Sequence, residues 1–196
     1  MTVCMTSETL VTAATVEAIS LCDVKQFIRE LDPAPDQIEV LEDLIDEAIE
    51  VVQERQRSAL NTQTRMLATD GFPSAQELFR GFRNPVQSVS SVKYYDTNGS
   101  LQTVGASTYV LDTKATFATV GLAYQQSWPS DCRGQVNDVE VTYVAGYGDT
   151  AADVPMRIRQ LLKRLVTRSW EYAVPCCECP ELDRLLQMDS FNVCVV

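Results

Sequence analysis

Val139-Glu140-Val141-Thr142-Tyr143-Val144-Ala145-Gly146-Tyr147-Gly148-Asp149-Thr150-Ala151-Ala152-Asp153-Val154-Pro155-Met156-Arg157-Ile158 runs a strand into a helix. Val139, Val141 and Tyr143 alternate with Glu140 and Thr142, the period of a half-buried strand. Gly146 and Gly148 break it and allow backbone angles other residues resist. Asp153 is placed to cap the helix, with Pro155 in the first turn, where a missing N–H costs little. Ile158, Leu161, Leu162, Leu165 and Val166 then form one apolar helical stripe. Arg157, Arg159, Lys163, Arg164 and Arg168 make the same helix strongly basic.

Two further helices are predicted upstream. The first starts at Ser20, where Asp23 three residues on approximates a capping box, and it ends at Asp32-Pro33-Ala34-Pro35. The second runs from about Asp36 to Ser58. Its main stripe is Ile38, Leu41, Ile45, Ala48, Ile49 and Val52; Val40, Leu44 and Val51 form a second, offset stripe. A helix apolar on two sides touches two things, its own core and either the rest of the domain or a neighbouring subunit. The polar face is acidic: Glu39, Glu42, Asp43, Asp46, Glu47, Glu50 and Glu54. Like charges at helical spacing repel by a few tenths of a kcal/mol per pair, which calls for a basic partner. The basic C-terminal helix supplies one, within the chain or across a subunit boundary. We take Glu42, Asp46, Glu50, Arg157, Arg164 and Arg168, with Val40, Leu44 and Val51, as candidate inter-helix or subunit contacts.

Between these helices the period changes to two. Strands are expected at Arg65–Ala68, Leu78–Phe82, Val89–Tyr95, Leu101–Val104, Tyr109–Leu111 and Phe117–Leu122. Asp96-Thr97-Asn98-Gly99 predicts a hairpin with a type I′ turn. Residues 1–19 show little periodicity and read as an extended or mobile arm, 20–172 as the folded domain, and 173–196 as a cysteine-containing tail. In the tail, Leu182, Leu185 and Leu186 lie on one side of a short amphipathic turn, and Phe191, Val193, Val195 and Val196 make the end apolar. Such a set is either tucked into its own core or held by a partner.

Composition narrows the chemistry. The chain has 196 residues, 45% of them hydrophobic, and a net charge of −11. So acidic a surface disfavours nucleic acid and anionic membrane as default partners. No apolar run approaches the roughly 20 residues that span a bilayer, and no basic cluster precedes Lys25, so the protein reads as cytosolic when made. There is no histidine, which excludes Ser–His and Cys–His dyads. Gly146-Tyr147-Gly148 is neither a dinucleotide nor a phosphate loop. Cys176-Cys177-Glu178-Cys179, even with Cys194, lacks the usual paired spacing and reads as reduced thiols rather than a metal site. No catalytic residue, cofactor or metal is expected.

An ordered set of motifs resembles the head–tail connector (adaptor) proteins of tailed bacteriophages and gene transfer agents. It comprises Ser20-Leu21-Cys22-Asp23-Val24-Lys25; the acidic helix from Asp46-Glu47-Ala48-Ile49-Glu50 to Arg57; Pro85-Val86-Gln87-Ser88-Val89-Ser90-Ser91-Val92-Lys93-Tyr94-Tyr95-Asp96-Thr97-Asn98-Gly99; Tyr109-Val110-Leu111-Asp112; Trp128-Pro129; and the Tyr143 to Trp170 strand and helix. The arm matches no part of that pattern, and Trp170-Glu171-Tyr172 leads into cysteines where the family often has an acidic pair.

The residues and the resemblance together predict an α+β fold with two N-terminal helices, a small mostly antiparallel sheet, and a C-terminal helix packed on the second helix. The resemblance further implies a non-enzymatic virion protein, made in the bacterial host cytoplasm. It would form a homo-oligomeric, dodecameric ring under the portal protein, meet a tail-side neck or tail-completion protein, and pass DNA without binding it specifically or touching a membrane. The apolar tail residues are then candidate portal contacts. The alternative is a cytosolic nucleic-acid-binding assembly factor that uses the basic C-terminal helix.

Overall fold

A computed structural model describes residues 6–30, 32–74, 79–114 and 117–172. Among them the order is β1 (Thr6–Thr12), α1 (Leu21–Ile28), α2 (Pro35–Gln56), β2 (Gln63–Thr69), β3 (Val86–Tyr95), β4 (Leu101–Thr103), β5 (Tyr109–Asp112), β6 (Thr119–Leu122), β7 (Val139–Ala145) and α3 (Met156–Tyr172). The class is α+β, as expected. The described residues form two compact units: the sheets, from Thr6 to Ala14 and from Thr62 to Gly146, and the helices, from Thr15 to Asn61 and from Tyr147 to Tyr172.

In the sheet unit, five strands pair in the order β1-β2-β7-β3-β4, every pair antiparallel. The strand read from the opening stretch, β7, lies at the centre, and Val139, Val141, Tyr143 and Ala145 are all fully buried. Its partner β3 carries Val86, Val89 and Val92 three residues apart, a spacing that does not fit a strand period of two. Two register shifts resolve the conflict, one between Val86 and Ser88 and one between Val89 and Ser91. Each bulge absorbs one residue, so Val86, Val89 and Val92 fall opposite Ala145, Tyr143 and Val141.

Strands β5 and β6 form a separate pair. The strand expected at Leu78–Phe82 is not one: Phe79 makes only an isolated bridge to Val120, and residues 75–78 lie outside the described set. Phe72 stacks on Trp128 at 5.0 Å between ring centroids, and Phe79 and Tyr94 meet this pair edge-on. The hairpin at Asp96 also differs from expectation. Only Gly99 takes a positive φ, and the Asp96 carboxylate accepts the N–H groups of Asn98 and Ser100, closing a longer loop than a two-residue I′ turn.

The segment expected as an extended or mobile arm contains β1, an edge strand of the sheet. One carboxylate on it gathers three other segments. Glu8 accepts from Arg65 Nε on β2 at 2.8 Å, from Arg83 Nε ahead of β3 at 2.9 Å, and from the Tyr143 hydroxyl on β7. The same hydroxyl accepts the Arg83 N–H at 3.2 Å. Burial works to raise the Glu8 pKa, but the hydrogen bonds from Tyr143 and Arg83 and the charges of Arg65 and Arg83 outweigh it and hold it below the ordinary value. Burial first, then the bond to Glu8, pushes the Tyr143 phenol up.

In the helical unit, one core joins Ala18, Ile19 and Val24 with Leu41, Ile45, Ala48 and Val52 of α2 and with Ile158, Leu161, Leu162, Leu165 and Val166 of α3. Each large apolar side chain among them contributes roughly 1.5–3 kcal/mol by leaving water. The Ser20–Asp23 capping box opens α1. Pro35 opens α2, with Gln37 Oε1 accepting the Ala34 N–H at 2.9 Å. Asp153 does not cap α3 as expected. Its carboxylate turns back to Thr150, accepting from the backbone N–H at 2.9 Å and the hydroxyl at 2.8 Å. That turn explains Gly148: a Cβ there would lie 2.5 Å from the Asp153 carboxylate.

Two outcomes test the Glu8 assignment. Glu8→Ala removes the carboxylate that Arg65, Arg83 and Tyr143 share and should cost about 3 kcal/mol, read as a lowered Tm. Because the Glu8 pKa is depressed, its contribution is present above the ordinary glutamate pKa and is lost as pH falls through the lowered value. The wild-type Tm should therefore fall more steeply than that of Glu8→Gln between about pH 5 and 3. An unchanged Tm in Glu8→Ala would mean that the β1 ladder holds without the carboxylate.

Candidate functional site

The sequence-derived inter-helix and subunit contact residues lie on α2 and α3, some outward and some against the core. Leu41, Ile45, Ala48 and Val52 of α2 are buried in the core. The offset stripe divides. Leu44 and Val51 are half-buried and pack against the same core, while Val40 remains 49% exposed. The own domain therefore takes most of that second face.

Glu42, Asp46 and Glu50 are exposed, four residues apart along one row of α2. Among the described residues none of the three has an ion-pair partner. Asp46 and Glu42 do act on a fourth acid that the sequence reading passed over. Glu17 lies just ahead of α1, and its pKa is raised by partial burial and then by the charges of Asp46 and Glu42. The signal available in the sequence was its position before Ala18 and Ile19, both buried.

On α3, Arg157 and Arg164 are exposed and Arg168 is half-buried. Spacings of seven and four place the three on one face, which flanks the stripe that enters the core, with Arg168 nearest to Leu161 around the helix. Arg164 has no ion-pair partner among the described residues. Lys163, the next basic residue, points elsewhere: its Nζ donates to Asp23 Oδ1 at 3.2 Å and links α3 to α1. The Ser20 hydroxyl, and then Lys163, outweigh desolvation and hold the Asp23 carboxyl below its usual range. Asp23 thus both caps α1 and pairs with α3. With Asp23 largely solvated, the pair contributes at most about 1 kcal/mol.

The candidate portal contacts Leu182, Leu185, Leu186, Phe191, Val193, Val195 and Val196 lie outside the described residues, as does the Cys176-Cys177-Cys179 cluster. Among the described residues, no group of three or more His, Cys, Asp or Glu could hold a metal ion, and no helix is long and apolar enough to cross a membrane. Glu8 and Tyr143, two of the perturbed side chains of the sheet unit, are engaged with each other and with arginines in a structural network. The features open to a partner are charged helix faces and a sheet edge at β1, where Leu10 and Val11 are about half exposed.

No protein-family model matches this chain, and no curated protein matches it. Solved structures share its fold. A chain in the neck of an empty GTA particle, computed with C6 symmetry, superposes with a TM-score of 0.75 at 18% identity, covering 93% of this chain and 94% of that one. A chain in the virion of a native gene transfer agent (GTA) particle gives 0.73 at 19% identity, with 92% and 93% covered. A chain in the neck of a native GTA particle, computed with C12 symmetry, gives 0.69 at 20% identity, with 93% of both covered. The fold is that of neck and virion components of such particles, which fits the connector resemblance.

The acidic group makes a checkable claim. A carboxylate with a raised pKa costs stability while ionised, and the cost disappears as pH falls through that pKa. Glu17→Gln should raise the Tm at pH 7, and the gain over wild type should vanish in acid. An equal gain at every pH would show that the charge of Glu17 is not its cause.

Proposed function

We propose that this chain is a structural neck protein of a tailed particle. Copies form a closed ring beneath the portal, connect the DNA-filled head to the tail and continue the DNA channel. The observation that carries this reading is the fold shared along 93% of the chain with neck chains computed with C6 and C12 symmetry. The order of motifs from Ser20 to Trp170 supports it independently. The protein works by assembly, not reaction chemistry. Its partners are further copies of itself, the portal protein and a tail-side neck protein, and its place is the head–tail interface of the particle.

The charge suits a channel wall. With −11 per copy, a ring of about twelve carries on the order of −130, which repels a passing phosphate backbone. Purified protein should form rings or ring-like oligomers at high concentration or with portal, and should show no appreciable affinity for duplex DNA at physiological salt. A species that stays monomeric by light scattering under both conditions overturns the ring. Micromolar or tighter DNA binding with a steep salt slope would instead favour a nucleic-acid-binding assembly factor using the basic face of α3.

In this reading the C-terminal tail anchors the chain to the portal, an assignment that rests on its sequence. Deleting residues 180–196 should leave the Tm nearly unchanged and produce DNA-filled heads without tails. Collapse of thermal stability, or normal tailed particles, counts against the anchor.

A further inference from the structure

Two charged faces of the helical unit are complementary in sign and similar in length. The acidic row Glu42, Asp46, Glu50 spans roughly 12 Å along α2, and Arg157, Arg164 and Arg168 span roughly 16 Å along α3. The acids crowd: Asp46 and Glu42 act on Glu17, and like charges four apart on a helix repel. The acidic row and Arg164 all lack an ion-pair partner among the described residues. Lys163, beside Arg164 on α3, pairs with Asp23 of α1 rather than with the acidic row of α2.

We propose that the acidic face of α2, centred on Asp46, docks on the basic face of α3, centred on Arg164, of a second copy of this chain. The occupant follows from charge complementarity. The two faces are opposite in sign and similar in length, and both belong to every copy. Because the two patches differ, each contact leaves one acidic and one basic face unfilled at its ends. Such a contact is heterologous and is completed by closing a ring. Relief of the repulsion among Glu17, Glu42 and Asp46 by an arriving arginine face favours the bound state, and the attraction must weaken with salt. The inference rests on the ring reading above and adds which surfaces make the ring.

Single charge reversals at the two centres test it. Asp46→Lys and Arg164→Glu should each weaken self-association on the order of tenfold at low salt, followed by sedimentation velocity over a concentration series. Arg164→Glu should keep the wild-type Tm, because Arg164 has no ion-pair partner among the described residues of its own chain, and Asp46→Lys should not lower it, because it removes a like charge acting on Glu17. Mixing the two variants should restore association. The lysine introduced in one then meets the glutamate introduced in the other, while the native pair survives at alternate contacts. Recovery in the mixture is the supporting result. Wild-type association of both single variants overturns the proposal. So does a lowered Tm that only the double variant in one chain repairs, which would place the pairing within a copy. A wild-type chain that never associates removes the ring reading itself, and the proposal with it. One that associates indifferently to charge removes only the proposal.

Discussion

Glu8 is one carboxylate serving three donors, and the sheet unit is arranged around that fact. A buried carboxylate is costly unless it is paired and hydrogen-bonded. Here Arg65, Arg83 and Tyr143 each supply a donor from a different segment. The network works only if β1, β2 and β7 hold their register, because a one-residue slip turns every side chain to the other face. Apart from its backbone ladder to β2, strand β1 offers little apolar burial, since Leu10 and Val11 stay about half exposed. Its place in the sheet is therefore fixed by a polar contact more than by hydrophobic burial.

Elsewhere in the same unit, backbone adjusts to side chains. The β3 valines recur every third residue, and two bulges return them to the face opposite the buried residues of β7. Gly146 ends β7 with a φ of 133°. Gly148 serves a different purpose, leaving room for the Asp153 carboxylate that closes the turn ahead of α3. Two neighbouring glycines thus answer two separate physical demands, one of backbone angle and one of space.

In the helical unit the residues that hold the fold are distinct from those proposed for assembly. Apolar faces of α2 and α3 share one core, and the capping residue Asp23 also pairs with Lys163. Glu42, Asp46 and Glu50 on α2 make no ion pair among the described residues. An acidic row that repels itself is a poor device for a monomer and a suitable one for a protein that is finished by its neighbours. This is the sense in which the fold shared with neck chains and the charge arrangement support the same proposal.

The amino-acid sequence by itself determined the helices, because a 3.6-residue apolar period and a cap such as Ser20 are local signals. It determined β7 for the same reason, strict alternation at a buried strand, and it carried the ordered motifs of the connector resemblance. The tertiary structure alone decided β1, whose residues have no period and are held by arginines and a tyrosine 57 to 135 positions away. It decided the use of Asp153, which either a helix cap or a turn could have claimed, and the division of the second stripe of α2, where Leu44 and Val51 went to the core and Val40 did not. The Lys163–Asp23 pair and the approach of Glu17 to Asp46 and Glu42 likewise depend on how three helices pack. Local periodicity records which face of an element is buried; which partner meets that face is a long-range fact, set by packing and the pairing of buried charge.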